Sequence, residues 1–431
     1  MIGLLIIAAA LTAAPSDLDA ARTDYRAHGS DPALRYLTLG AVPKGKQGQW
    51  AAVLAYQVPA ASRAELLDRQ IPQPVPRSTA YRIDLESLQW DWRDWNAVLA
   101  KYPYGYNDPY RPLLMVRGDW LIKQLADARD SDAYLRLLYG GKKIPKTDAE
   151  FLQFWGVDPK QQLGQSFGWV ETKSQVGLQG TRLAEHFNGR GQSVWRTKDV
   201  NQVTRGSDPL EALDGNFKHD GRELIAQVAK TSLYRQSRGA SQVYLLANGQ
   251  GKVVNEAPVR LVEDHKRTLG QTAIINNASC VGCHEQGMQM PTENGVREAL
   301  KAGELLYAYS KGKQEAIESF HLTDAGRRLQ RNNEDFATFV EACNGMKPDA
   351  NARLYGEMLN DYRADLDLQR AAGELYTTPE NLKLAIAYAS ANKVLVGSRV
   401  AGLAHGKLVS RDTWEQEYLG VQKMLEVWDA K

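Results

Sequence analysis

Residues 243–254 read Val-Tyr-Leu-Leu-Ala-Asn-Gly-Gln-Gly-Lys-Val-Val, two apolar runs either side of an Asn-Gly pair. Asn248-Gly249 supplies the positive φ angles that a two-residue hairpin turn requires, so the stretch predicts a hairpin and, around it, a small antiparallel sheet. Strand-like signals extend back to about Phe167 and forward to about Asn277. Beyond that the chain turns helical. Thr378-Pro379-Glu380 starts a helix by N-cap, N1 proline and early acid, and Leu382, Leu384, Ala385 and Tyr388 follow at helical spacing. Asn333–Ala342 and Arg353–Leu366 carry the same period, with charges on the opposite face.

Ahead of the strands the signals are mixed. Arg35-Tyr-Leu-Thr-Leu39 and Tyr81-Arg-Ile-Asp-Leu85 read as short strands. Helices lie between them, the clearest near Lys146–Trp155, where Thr147 and Glu150 form a capping box and Gly156 ends the run. The aromatics Trp90, Trp92, Trp95, Tyr102, Tyr104, Tyr106 and Tyr110 read as core or rigid loop. The expected class is therefore α+β. Its parts are a mixed α/β domain over 15–166, a β-rich segment over 167–284 and a helical domain over 285–431.

With 431 residues, a hydrophobic content of 43% and a charged content of 24%, the chain suits two or three globular domains. Its 53 basic and 51 acidic residues nearly cancel, which favours neither nucleic acid nor an anionic membrane as partner. Met1–Ala14 holds an apolar run, Ile2–Leu11, too short to span a bilayer and followed by small residues, so 1–14 reads as a signal peptide. No later segment reads as transmembrane, and a periplasmic or secreted protein is expected.

Three cysteines occur, and two of them sit in Cys280-Val-Gly-Cys283-His284. This C-x-x-C-H pattern is that of c-type haem attachment. Two thiols three residues apart on a helical turn can each add to a vinyl group on one porphyrin edge. The adjacent imidazole then meets the iron as proximal ligand, and its other ring nitrogen is expected to donate to a carbonyl or carboxylate that fixes the ring. Zinc or a dithiol redox centre are the alternatives. Zinc would want four ligands, yet the only other cysteine is distant Cys343. A thioredoxin-like site would want a βαβ setting. One covalent haem c on Cys280 and Cys283, with His284 on the iron, is the expectation.

The second axial ligand decides the chemistry. His219 and Met346 are the distal candidates, with His186, Met288 and Met290 behind them and His28, His265, His321 and His405 weaker still. A filled position makes an electron carrier that serves a redox partner protein. An open one, with His219, Arg222 or Glu223 nearby, makes a peroxidase, an oxidase or a gas sensor. In a third reading the haem stabilises a binding or structural protein. No substrate can be read from the sequence.

The chain resembles a family of large extracytoplasmic bacterial proteins with a single C-x-x-C-H motif, usually named only as cytochrome c domain proteins. The residues that carry the likeness run from Arg35-Tyr-Leu-Thr-Leu39 and Tyr81-Arg-Ile-Asp-Leu85 through Tyr102-Pro-Tyr-Gly105, Arg117-Gly-Asp-Trp120 and Arg182-Leu-Ala-Glu-His186. They continue through Phe217-Lys-His-Asp-Gly221 and Cys280–Met288 to Tyr362-Arg-Ala-Asp-Leu-Asp-Leu368. The resemblance implies haem attachment at Cys280 and Cys283 and ligation by His284. Small cytochromes c place a helix before the motif; here a hairpin precedes it, and their compact fold is not expected.

Overall fold

In a computed structural model, the described residues are 15–62, 70–105, 115–158, 167–171, 180–189, 193–201, 223–232, 239–257, 262–265, 267–289, 302–303, 309–321, 325–392 and 399–430. The expected signal peptide over 1–14 lies outside them, as do Tyr106, Tyr110, His219, Arg222 and Met290. The class is mixed α+β.

The first stretch comprises α1 (Pro15–Ala27), β1 (Leu34–Thr38), α2 (Gln47–Ala60), β2 (Gln73–Pro74), β3 (Ala80–Asp84), α3 (Trp92–Leu99), β4 (Met115–Arg117) and α4 (Gly118–Ala126). Its sheet has the order β2-β3-β1-β4, with β1 antiparallel to β3 and parallel to β4. Buried Asp17 ties α1 to this sheet by accepting from Thr38 Oγ1 at 2.6 Å and from the Thr79 backbone N–H at 2.8 Å. Of the aromatics, Trp90 and Trp95 are buried and stacked at 6.0 Å, Tyr102 and Tyr104 are buried, and Trp92 is exposed.

Next come α5 (Ala133–Tyr139), α6 (Asp148–Phe154), β5 (Phe167–Glu171), β6 (Gly180–Asn188), β7 (Ser193–Asn201), β8 (Glu223–Ser232), β9 (Ala240–Asn248) and α7 (Ala278–Cys283). Strands β5 to β9 pair antiparallel in sequence order, a larger sheet than a hairpin alone. The Thr147 hydroxyl accepts from the Glu150 N–H at 3.2 Å, while Glu150 reaches back to the N–H of Lys146.

The turn after β9 corrects the two-residue expectation. Asn248 Oδ1 accepts from the N–H groups of Gln250 and Lys252, both at 3.0 Å, and the positive φ falls on Gly251 (75°). The Asn side chain mimics a backbone turn, which makes the loop longer than Asn-Gly alone would.

The remaining helices are α8 (Lys311–Phe320), α9 (Ala325–Asn344), α10 (Pro348–Arg363), α11 (Leu368–Glu374), α12 (Pro379–Ala391) and α13 (Arg411–Asp429). The expected helix over Arg353–Leu366 ends at Arg363, and Leu366 instead bridges to Val409.

Two compact units result. One holds 1–64, 68–125 and 357–431; the other holds 65–67 and 126–356. The stretch 285–431 is thus divided between them rather than forming one domain. In the first unit, buried Glu374 accepts from Arg117 at 2.7 Å, from Arg411 at 2.8 Å and from Trp414 Nε1 at 2.8 Å. Burial alone would raise the Glu374 pKa, but the two guanidiniums hold it well below the usual carboxylate range.

Candidate functional site

The site lies within the second unit and begins from a strained residue. Residues 255–257 pair with 274–276 through Asn276 N–H to Asn255 O (2.9 Å) and Ala257 N–H to Ile274 O (2.9 Å). Asn277 then adopts φ 71° and ψ −63°. The Ala278 N–H bonds back to the Asn276 carbonyl at 3.1 Å, closing a γ-turn of the rare, strained hand. This turn launches α7. On one helical turn Cys280 and Cys283 share a face, as residues three apart do.

Helix α7 is seated by the loop around Asp264, which is fully buried. Asp264 accepts from the Thr268 N–H at 3.0 Å and lies 3.9 Å from Cys283 Sγ. Gly282 lets this loop approach, because a Cβ there would stand 2.0 Å from Thr268 Oγ1. Cys280 is buried, and burial, reinforced by the Asp264 charge, pushes its thiol up to about 12. Neither cysteine forms a disulfide.

Past α7 the chain turns, with His284 N–H on the Cys280 carbonyl and Gly287 N–H on the His284 carbonyl, both at 2.8 Å. The His284 ring places Nδ1 3.2 Å from the Gly287 carbonyl and lies 5.1 Å, centroid to centroid, from the Tyr244 ring. With Nδ1–H donating to that carbonyl, Nε2 keeps its lone pair for a metal.

Cys280, Cys283 and His284 all line one cavity of about 110 Å³ that opens to solvent. Its opposite wall is one face of the five-stranded sheet. Trp195, Thr197 and Asp199 of β7, Leu224, Ala226 and Val228 of β8, and Tyr244 and Leu246 of β9 alternate at period two and so point the same way. Ile274, Met288 and Leu329 close the sides. The motif therefore packs on the sheet's face, with His284 against Tyr244 of the edge strand β9. On the same wall Arg182 of β6, the cross-strand partner of Asp199, holds it through Nε at 2.8 Å and Nη2 at 3.1 Å.

The register fixes what else can reach the motif. His186, Trp195, Val228 and Tyr244 form one cross-strand row. Three strand spacings separate its ends, roughly 14 Å, whereas two nitrogens on opposite faces of one metal lie roughly 4 Å apart. His186 instead bonds Ser193 Oγ through Nε2 at 2.7 Å and packs edge-on against Trp195. Met346 is not among the lining residues. It follows the far end of α9, and roughly 16 Å of helix lies between Asn333 and Asn344. Met288 does line the cavity, from the turn that follows α7.

Among the described residues no cluster of three or more His, Cys, Asp or Glu side chains converges to hold a metal ion, and no helix is long and apolar enough to cross a membrane. Asp264 and Asn333, which shape the site, carry no local sequence signal; a buried Asp and an Asn within an amphipathic helix are recognisable only once their distant partners are known. Comparison with protein-family models, with curated proteins and with solved structures finds no match to this chain.

Proposed function

We propose that the chain is a c-type cytochrome that transfers electrons outside the cytoplasm, with one haem joined to Cys280 and Cys283 and its iron bound by His284 Nε2. The observation that carries this reading is that all three side chains of one motif open on the same mostly apolar cavity, with His284 Nδ1 already engaged by a backbone carbonyl. A porphyrin is a largely apolar body, and the sheet face offers it Trp195, Leu224, Ala226, Val228, Tyr244 and Leu246. When bound, the haem supplies a one-electron ferric–ferrous couple. The chain's own part is to hold the ring, orient His284 and keep water from most of the group. A redox partner protein would meet it at the mouth of the cavity, where Cys283 and His284 are partly exposed.

A second reading has its own support. Among the described lining residues His284 is the only imidazole and Met288 the only thioether, and the two are four positions apart in one turn. That favours an iron whose other face is open or weakly filled, as in a peroxidase, an oxidase or a gas sensor.

Expression with haem-maturation machinery tests both. Wild type is expected to carry haem through denaturing electrophoresis, and the Cys280→Ala/Cys283→Ala double variant to carry none. Absence of covalent haem from wild type overturns the proposal. A low-spin spectrum indifferent to carbon monoxide supports the carrier, and His219→Ala then tests whether His219 is its ligand. An immediate shift with carbon monoxide supports the second reading.

A further inference from the structure

Helix α9 crosses the sheet at the end nearest His284. Arg328 reaches Asn188 of β6, Asn332 bonds Ser193 of β7 at 2.9 Å, and the backbone at Asp335 and Phe339 closes over Gly239 before β9. Between these contacts Asn333 points its amide at the turn that follows His284. Asn333 Oδ1 accepts from the Met288 N–H at 2.7 Å, and Asn333 Nδ2 donates to the Met288 carbonyl at 2.7 Å. One side chain thus satisfies both backbone groups of Met288, as a neighbouring strand would.

The preceding residue is built for this approach. Gly287 has φ 93°, and a Cβ there would stand 2.4 Å from Asn333 Oδ1. Its carbonyl is the one that faces His284 Nδ1 at 3.2 Å. The Gly287–Met288 peptide is therefore pinned on one side by Asn333 and presents its oxygen to the imidazole on the other. We infer that Asn333 is a positioning residue for the iron ligand: it fixes the Gly287 carbonyl that orients the His284 ring and sets its basicity. The inference rests on the haem reading above.

A ligand imidazole that donates from its second nitrogen is the stronger base and favours the higher-valent metal. Releasing the carbonyl is then expected to raise the reduction potential. The test compares wild type with Asn333→Leu, which matches the shape without the amide, and Asn333→Ser, which keeps a polar group. Attached haem is first verified by electrophoresis in each. The ferric–ferrous midpoint is then measured, together with exchange of the hyperfine-shifted His284 Nδ1 proton by NMR.

Expected results are a positive shift of the midpoint, larger for leucine than for serine, and proton exchange about two- to tenfold faster, the loss of roughly one hydrogen bond. An unchanged midpoint and unchanged exchange in variants that only melt at lower temperature would overturn the inference and leave Asn333 a packing residue. If the leucine variant does not fold, the serine variant carries the same comparison. Haem-free wild type would instead fail the parent reading, and the positioning role with it.

Discussion

Gly282 sits inside a helix, where alanine is ordinarily the better residue by about 1 kcal/mol. Here the sign reverses. A methyl at this position would meet Thr268 Oγ1 at 2.0 Å, Cγ2 at 2.6 Å and Cβ at 2.8 Å, all atoms of a side chain held against α7 by the Asp264 loop. Gly282→Ala is expected to lower unfolding free energy by about 1–3 kcal/mol, as overpacking does, and to lower haem yield because α7 carries both thiols. Denaturant titration of the apoprotein separates the two effects; an apoprotein as stable as wild type would show that the loop yields. The five residues of the motif were legible because their spacing is local and their chemistry rare. Their supports were not. Asn333 acts across 45 residues of sequence on the two backbone groups of Met288, and Asp264 lies 19 residues from the Cys283 thiol it faces, so neither support has a local signature.

At the scale of elements, short-range rules were the readable ones. Thr378 caps α12 by accepting from the Asn381 N–H at 3.1 Å, and Pro379 takes the first helical position. Strands β1 and β3 also lie where alternation put them. Pairing five strands into one sheet, with a face broad enough to wall a cavity, depends on register between distant segments and was not readable. The turn after β9 shows where a local rule misled: Asn248-Gly249 has the right residues, but the Asn side chain takes over the turn. The two geometries predict different sensitive glycines. Gly251 has positive φ, and a Cβ there would approach Asp148 Oδ1 at 2.4 Å. Gly251→Ala is therefore expected to cost about 1 kcal/mol or more, while Gly249→Ala changes stability by less than about 0.5 kcal/mol. Thermal melts of the two variants decide it; the reverse ranking would restore the two-residue turn.

For the molecule as a whole, buried ionisable groups set the acid limit, and one of them acts earlier than the carboxylates. His186 is buried between Trp195 and Ser193, and desolvation, aided by the Arg328 charge, lowers its pKa to about 3. Unfolding returns the imidazole to water, where its value is about 6.5. Between those values the unfolded chain binds the extra proton and the folded chain does not, so stability present above pH about 6.5 is lost as pH falls, by at most about 1.4 kcal/mol per pH unit. The carboxylates enter later. Burial alone would raise the Glu185 value, but Arg196 and Lys198 lower it to about 2, and Glu374 is held down in the same way by Arg117 and Arg411. Their contribution is present above their unfolded pKa of about 4.3 and disappears as pH falls through the folded values. Urea denaturation followed from pH 7 to pH 4 should therefore show wild type weakening from about pH 6.5 downward. His186→Gln should hold a plateau to about pH 4.5 before the carboxylates take over. Equal slopes for the two proteins between pH 6.5 and 4.5 would mean that His186 is solvated in the fold, and that the packing of α9 on this end of the sheet is looser than its hydrogen bonds to Ser193 and Met288 require.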